Sequence, residues 1–235
     1  CKAPARPTAL LSASLTLALG IWALVSFDGC SSCWSRFEGM DLQLTLAPAL
    51  SKVMLLLTIL VTFATVLGTN PPQGGEASWY NSALLISAGA TGAFLSDNII
   101  SFSAFHELAL IPTFVMIGLY GRGDRRTTAW RATLYLGLAS MVLLAALLMI
   151  GTQAGFTFSG LKDFMASGRE LAHAELIGAL LIAGFGTLIS LFPFHSWAAP
   201  AYASAPAPVA MMHAGVLKKF GLYGLFMFQP LMETG

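Results

Sequence analysis

Charged side chains are scarce in this sequence. Asp, Glu, Lys and Arg make up only 10% of the 235 residues, whereas 56% of the residues are hydrophobic. A soluble domain carries roughly 25% charged residues on average. The composition therefore excludes an ordinary soluble domain and indicates a polytopic membrane protein. The formal net charge is only +1, so the charge balance gives no sign of nucleic acid or another polyanion as a partner.

Metal and cofactor ligands are equally few. The cysteines are Cys1 and the pair Cys30 and Cys33, which stand in the run C-S-S-C. A zinc site needs further ligands at similar spacing, and none lies nearby. The pair is either a loop dithiol or a chance pairing. Ligand patterns for haem, iron–sulfur clusters and flavin are also missing, so we expect no metal and no cofactor in this chain.

Long hydrophobic runs, by contrast, are abundant. About 20 apolar residues in a helix cross the hydrocarbon of a bilayer, and seven segments match this length at least roughly. The predicted fold class is therefore all-α, a polytopic transmembrane helix bundle that forms a single domain over residues 1–235. The seven predicted spans are Leu10–Phe27, Ala47–Gly68, Ser82–Ser96, Ile99–Tyr120, Arg131–Gly151, Glu175–Phe194 and Pro206–Phe228.

The ends and the loops of the chain add two expectations. The chain begins with Cys1 instead of Met and stops soon after the seventh span, so we interpret it as a fragment. The loops on the side of the N-terminus hold more Lys and Arg residues than the other loops. By the positive-inside rule, the first side is cytoplasmic.

Ionisable side chains lie inside two of the predicted spans. Glu107 falls near the middle of the fourth, and Lys218 and Lys219 lie over half-way along the seventh. Such a group costs about 2.5–3.5 kcal/mol on insertion scales, so it persists where it faces a partner or water. Burial raises the pKa of a carboxyl group and lowers that of an amine, which favours proton exchange near neutral pH. We therefore predict a proton relay; the alternatives are a static buried pair and lysines that snorkel to the interface.

Further polar residues near these positions are weaker candidates. Asp97 stands at a span boundary, where a helix cap and a relay group are equally consistent with the pattern. A histidine can carry a proton near neutral pH, although a structural role is commoner. The accessory candidates are Asp97, His106 and His213, and His195 is assigned to the relay itself.

Two stretches, "FHELALIP" and "LFPFHSWAAPAYASAPAPVAMMHAGVLKKFGLYG", resemble a known family. They are similar to the antiporter-like membrane subunits of respiratory complex I, above all subunit M (chain 4), and to the related multisubunit cation/proton antiporters. The resemblance covers nearly the whole chain. It implies that the seven spans are helices two to eight of about fourteen, within the first of two inverted repeats. One helix would precede them and the second repeat would follow.

The resemblance also implies roles for single residues. Glu107 matches a glutamate that in the family pairs with a lysine two helices further on. Lys219 matches the lysine of the eighth helix, and His195 matches a family histidine. These residues would pass protons between internal waters.

The chain departs from the family at the partner of this glutamate. Leu188 stands where the family has the seventh-helix lysine, and Pro200 and Tyr202 stand where it has an acid and a histidine. An uncompensated Glu107 cannot stay ionised cheaply in hydrocarbon. Either the extra lysine, Lys218, reaches toward it, or the carboxyl group is largely protonated.

The predicted function is proton translocation in the membrane part of an NADH–quinone oxidoreductase. The chain would hold no catalytic centre of its own, so its standing as an enzyme is left open. The expected partners are other membrane subunits of a complex I-like assembly, the lipid bilayer and protons, with Na⁺ left open, and the expected location is the bacterial inner membrane.

Four alternatives compete with this prediction. The chain could belong to a multisubunit cation/proton antiporter or a membrane-bound hydrogenase, or be a structural subunit whose channel has decayed. A seven-helix retinal protein is disfavoured, because Gly215 stands where an acid is expected four residues before Lys219.

Overall fold

The computed structural model describes residues 5–26, 36–37, 40–41, 44–46, 48–71 and 74–233. All three cysteines, and with them the predicted dithiol, lie outside these residues. The described chain is almost entirely helical, which confirms the predicted all-α fold class. Its only named strands are Arg36–Phe37 and Met40–Asp41, which pair antiparallel in a two-residue hairpin ladder.

From α2 onward, the helices follow one another along the chain with short connections. The first five are α1 Ala5–Ser26, α2 Ala49–Gly68, α3 Glu76–Leu95, α4 Ile99–Tyr120 and α5 Arg125–Ala154. The shorter ones are α6 Phe158–Ala166, α7 Ala174–Ile189, α8 Ala198–Ser204 and α9 Ala207–Met212. A π-helical segment, His213–Leu217, then leads directly into α10, Lys218–Glu233.

Four of the described helices are long and apolar enough to cross a membrane: α1, α2, α4 and α5. They coincide with the first, second, fourth and fifth predicted spans. The third prediction falls on α3, which begins six residues earlier than expected, at Glu76. The sixth falls on α7, an apolar helix of 16 residues, and the seventh falls on α9, the π-helical segment and α10. These three assignments stay predictions.

Local signals set the helix ends. The Asn98 side chain accepts hydrogen bonds from the first backbone N–H groups of α4, at 2.8 Å from Ile100 and 3.1 Å from Ser101, as an N-cap does. Helix α7 ends earlier than the predicted Phe194. It stops at a left-handed Ser190 with φ 64°, a common way to terminate a helix.

Aromatic rings fill the core where α3, α4, α7 and α10 meet. Phe94 of α3 stacks on Phe220 of α10 with centroids 5.0 Å apart, and Phe102 of α4 stacks on Tyr223 of α10 at 5.9 Å. Small residues let the backbones approach. A Cβ on Gly224 of α10 would lie only 2.1 Å from the ring of Phe185. The last helix is therefore held tightly in the middle of the bundle.

Candidate functional site

The Glu107 carboxylate has its hydrogen-bond donor on the neighbouring helix α5. Ser140 Oγ donates to Glu107 Oε1, and the same hydroxyl lies 3.4 Å from His106 Nδ1. The direct separation between His106 Nδ1 and Glu107 Oε1 is 3.9 Å. Ser140 is buried, so a single hydroxyl bridges a carboxylate and an imidazole inside the bundle.

The two neighbouring side chains of α4 face different surroundings, because successive residues of a helix point about 100° apart. His106 is only 2% exposed, and its ring meets the ring of Phe220 on α10 edge-on at 4.9 Å. The Glu107 side chain is 42% exposed in the isolated chain. It lines a cleft of about 170 Å³ between α4 and α5, together with Thr113 and Thr133. The cluster therefore connects this cleft with the core.

Lys218 does not replace the missing lysine as a direct partner of Glu107. In the described part of the chain, the one basic side chain within 4.0 Å of this carboxylate is that of His106. Lys218 Nζ lies instead 4.8 Å from the centroid of the Tyr202 ring and 5.9 Å from that of Trp197. The physical reason is that the negative faces of these two aromatic rings, on the α8 side of its helix, attract the ammonium group.

The neighbouring Lys219 is half-buried. It makes no hydrogen bond or ion pair with the residues that the structure describes. Lys219 directly precedes Phe220, whose ring contacts His106. The lysine therefore belongs to the turn of α10 that packs beside the Glu107 cluster, without touching that cluster through a polar contact.

Leu188, at the position of the family lysine, is 3% exposed and packs against α10. A Cβ on Gly221 would lie 3.1 Å from Leu188 Cβ and 2.7 Å from Ile189 Cγ2. The space that a charged side chain would need is filled by apolar contacts between α7 and α10. The described structure therefore offers no cation at this position to pair with Glu107.

Two further predicted residues lie apart from the cluster. His195 is exposed after a cis Phe192–Pro193 peptide bond, and its ring lies 5.6 Å from that of Phe192. Asp97 accepts hydrogen bonds from Ser159 Oγ at 2.7 Å and from Ser159 N at 3.3 Å. These contacts cap the start of α6 and favour the cap over the relay for Asp97.

His213 gains contacts that its position in the sequence did not reveal. It is 4% exposed, at the start of the π-helical segment. Its Nδ1 lies 3.3 Å from the Tyr202 hydroxyl, and its ring packs against the Trp197 ring at 5.4 Å. Tyr202 thus contacts both His213 and Lys218. The structure joins these residues in a second polar cluster.

A polar face on α2 was not predicted from the sequence. Four hydroxyl side chains along this face are buried: Ser51, Thr58, Thr62 and Thr65. Their spacing of three, four or seven residues is the signal that places them on one face of a helix. Ser51 Oγ lies 3.0 Å from the Tyr223 hydroxyl, so this face is turned toward the last helix.

The fold and these two clusters define a class of protein. Apolar helices surround a carboxylate, two imidazoles and an amine, and such ionisable groups among apolar helices are typical of membrane proteins with polar sites inside the bundle. Within the described residues, no group of three His, Cys, Asp or Glu side chains could hold a metal ion.

Comparison with known proteins identifies the family within this class. Residues 96–235 match the family described as NADH:quinone oxidoreductase/Mrp antiporter, TM. The match covers more than half of the chain, so the chain belongs to this family of integral membrane proteins. The resemblance seen in the two sequence stretches is confirmed.

One curated relative is the NAD(P)H-quinone oxidoreductase chain 4 2 of Microcystis aeruginosa. It is 33% identical over 182 residues, which are 75% of this chain and 32% of the relative. The chain spans about a third of the length of the curated relatives that it matches. It therefore corresponds to one part of such a subunit.

Two solved structures share the fold. The Mrp complex from Dietzia sp. matches with a TM-score of 0.85 and 21% identity, over 97% of this chain and 26% of the matched chain. Respiratory complex I from Thermus thermophilus with bound NADH matches with a TM-score of 0.82 and 23% identity, over 98% and 49%. The antiporter-like helix arrangement predicted from the sequence is confirmed.

Proposed function

We propose that this chain forms part of a proton-translocating membrane subunit of a complex I-like NADH–quinone oxidoreductase. The observation that supports it best is the cluster of Glu107, Ser140 and His106, which extends from the α4–α5 cleft to the core. Family membership and the chain 4 relative agree with this function. The partners would be other membrane subunits of the assembly, in the bacterial inner membrane.

The cluster has the chemistry of a short relay. A carboxylate at the cleft takes up a proton from water, and a hydroxyl can donate one hydrogen bond while it accepts another. Ser140 can therefore donate to Glu107 and accept from His106 Nδ1 when that nitrogen carries hydrogen. Transfer toward the core needs the reverse orientation, in which a protonated Glu107 donates to Ser140 Oγ and the Ser140 hydroxyl donates to an unprotonated His106 Nδ1. Ser140 then passes its own hydrogen to the imidazole and receives that of Glu107, so the proton leaves the cluster on the side of α10.

The energy for transport has to arrive from outside this chain. No redox ligand pattern occurs in the sequence, so electron transfer would take place in partner subunits. A change of charge at a neighbouring subunit would alter the relative stability of the protonated and ionised forms of Glu107, since a nearby opposite charge favours ionisation. Lys219 would serve as the next proton-carrying group toward the rest of the assembly.

The test is the substitution Glu107→Gln in the assembled complex, reconstituted in vesicles and driven by its electron donor. We expect most of the protons transported per electron through this subunit to be lost, whereas Glu107→Asp keeps part of the transport. Glu175→Gln, an exposed acid at the start of α7, is the matched control and should transport normally. Normal transport by Glu107→Gln would overturn the proposal.

A cation/proton antiporter is the second candidate, because the matched family includes Mrp antiporters and the fold likeness to an Mrp complex is high. The two functions differ in their driving force. An antiporter would acidify or alkalinise vesicles when a Na⁺ gradient is imposed without an electron donor, and a quinone oxidoreductase subunit would not.

The apolar contacts of Leu188 favour a third candidate, a structural subunit with a decayed channel. It predicts that neither driving force produces proton flux that depends on Glu107. The Glu107→Gln and Glu107→Asp measurements therefore separate this candidate from both transport functions.

A further inference from the structure

The second polar cluster contains a buried ring nitrogen without a hydrogen-bond partner among the described residues. His213 Nε2 is buried and has no hydrogen-bond partner among the residues described, while Nδ1 of the same ring lies 3.3 Å from the Tyr202 hydroxyl. An unpaired polar atom in the interior costs about 1–3 kcal/mol. Native proteins usually satisfy such an atom with an ordered internal water.

The backbone around His213 is also unusual. The π-helical segment His213–Leu217 interrupts the last helix. Such segments are rare and occur frequently at functional sites. His213 is its first residue, and Lys218 follows its last residue directly, so the segment separates the two basic groups that contact Tyr202.

Helix α2 packs against the π-helical segment. Ser51 Oγ contacts the Tyr223 hydroxyl, and a Cβ on Gly215 would lie 3.0 Å from Val61 Cγ2. Ser51 precedes Val61 along α2, whereas its partner Tyr223 follows Gly215 along the last helix. The two helices therefore run antiparallel. This register places His213 level with the turn of α2 around residues 62–65.

That turn of α2 contains a second unsatisfied atom. Thr65 Oγ1 is buried and has no partner among the described groups, whereas Thr62 Oγ1 donates to the Thr58 carbonyl at 2.7 Å. A water between α2 and the π-helical segment needs two to four polar partners. His213 and Thr65, each with one unpaired buried atom, are the two residues that this register brings to one level.

We propose that His213, Tyr202 and Lys218 form a second buried proton-transfer site, in which His213 Nε2 exchanges protons with an internal water on the side of α2. This inference rests on the proposed function. Tyr202 stands where the family resemblance places a histidine, and His213 supplies an imidazole to the same cluster from the next helix.

Proton exchange at this site follows from the shared tyrosine. The Lys218 ammonium lies over the Tyr202 ring, and the Tyr202 hydroxyl contacts His213 Nδ1. Two positive charges this close repel, so the charged form of one group disfavours that of the other. A proton that binds the Lys218 amine therefore releases the Nε2 proton of an imidazolium to the water, and His213 returns to its neutral form.

The functional test compares His213→Gln with Glu107→Gln in the same assembled, vesicle-reconstituted complex. The Gln amide can still bind a water but does not carry a proton at neutral pH. We expect His213→Gln to assemble normally and to lose most of the protons transported per electron. His173→Asn, which changes an exposed histidine whose left-handed backbone suits Asn, should transport normally.

The outcomes separate the two proposals. If Glu107→Gln loses transport and His213→Gln keeps it, the second site is wrong and the proposed function stands. If neither variant loses transport, the proposed function itself is wrong. Tyr202→His provides a check on a purely structural role, because an imidazole at this position should preserve transport in the His213→Gln background.

A second measurement addresses the water directly and does not depend on transport. A high-resolution cryo-electron microscopy map of the complex should show a density peak about 2.7–3.2 Å from His213 Nε2, the normal hydrogen-bond range. A protein or lipid atom in contact with this nitrogen, or no peak in a map that resolves other internal waters, would overturn the inference.

Discussion

The two polar clusters, one around Glu107 and the other around His213, hold ionisable side chains among apolar helices in different ways. At the α4–α5 cluster, a hydroxyl on the facing helix bridges the ionisable groups, and the carboxylate reaches an open cleft. At the α8–π-helix cluster, aromatic rings surround the basic groups, and one ring nitrogen has no partner in the described structure. The first cluster opens on a cleft and is bridged by a hydroxyl, whereas the second leaves a buried ring nitrogen without a partner among the described residues.

This difference shows how a membrane protein can compensate for a lost charge. The family resemblance leads one to expect a lysine opposite Glu107, yet the space is filled by Leu188 and by close helix packing. The carboxylate is instead satisfied by Ser140, while the extra lysine contacts aromatic faces elsewhere. A charge inside the bilayer needs some partner, but the partner need not be the oppositely charged residue of the relatives.

The largest effect is expected from Leu188→Lys, which restores the family residue. Leu188 packs closely against α10 at Gly221, so the contact has no room for a longer side chain at position 188. An unpaired buried charge also costs about 3–5 kcal/mol of stability. We expect the variant to assemble poorly, which quantitative blotting of purified membranes would measure, with Leu188→Met as the control. Normal assembly with increased transport would show that the site can still accept the lysine.

A smaller effect is expected from Ser140→Ala, which removes the bridge at the first cluster. Loss of a hydrogen bond to a charged group costs about 1.5–3 kcal/mol, so proton transport should fall on the order of tenfold or more. The matched control is Thr133→Val, which changes another hydroxyl of α5 that lines the cleft without bonding to Glu107 in the described structure. Equal effects of both variants would contradict the bridging role.

Tyr202→Phe tests the second cluster with a change of one hydroxyl group. The aromatic face for Lys218 remains, and only the contact with His213 is lost, so stability should fall by about 1 kcal/mol. Thermal unfolding of the purified complex measures this change. If transport falls far more than stability, Tyr202 takes part in proton exchange; if both are unchanged, its hydroxyl does not hold the imidazole.

The smallest effect is the coupling energy that we expect between the substitutions Glu107→Gln and Lys218→Met. The sequence led to the hypothesis that these residues act as a pair, whose substitutions would be non-additive. In the structure Lys218 faces Tyr202 and not Glu107, so the effects of the two substitutions on the stability of the purified complex should add to within about 0.5 kcal/mol. A larger coupling energy, measured from thermal unfolding of the two single variants and the double variant, would show that the two side chains interact.

Much of the fold was predictable because long apolar runs in the sequence indicate membrane helices. The starts of α2 and α4 lie within two residues of their predicted positions, since an uninterrupted apolar run has few other structures in a bilayer. Helix α3 was predicted too short because its first turns hold polar residues such as Glu76 and Asn81. The π-helical segment was not predicted, because no local residue pattern distinguishes it from an α-helix.

The sequence by itself determined that this protein lies in a membrane, that it belongs near the antiporter-like subunits, and that Glu107 lacks its expected lysine. Hydropathy and motif spacing are local properties, so they can be read along the chain. Only the tertiary structure decided that Ser140 donates a hydrogen bond to the Glu107 carboxylate and that Lys218 lies over the Tyr202 ring. It also decided that His213 Nε2 has no hydrogen-bond partner among the described residues. Residues of one helix point in directions about 100° apart, and which neighbouring helix each one meets depends on how the whole bundle packs.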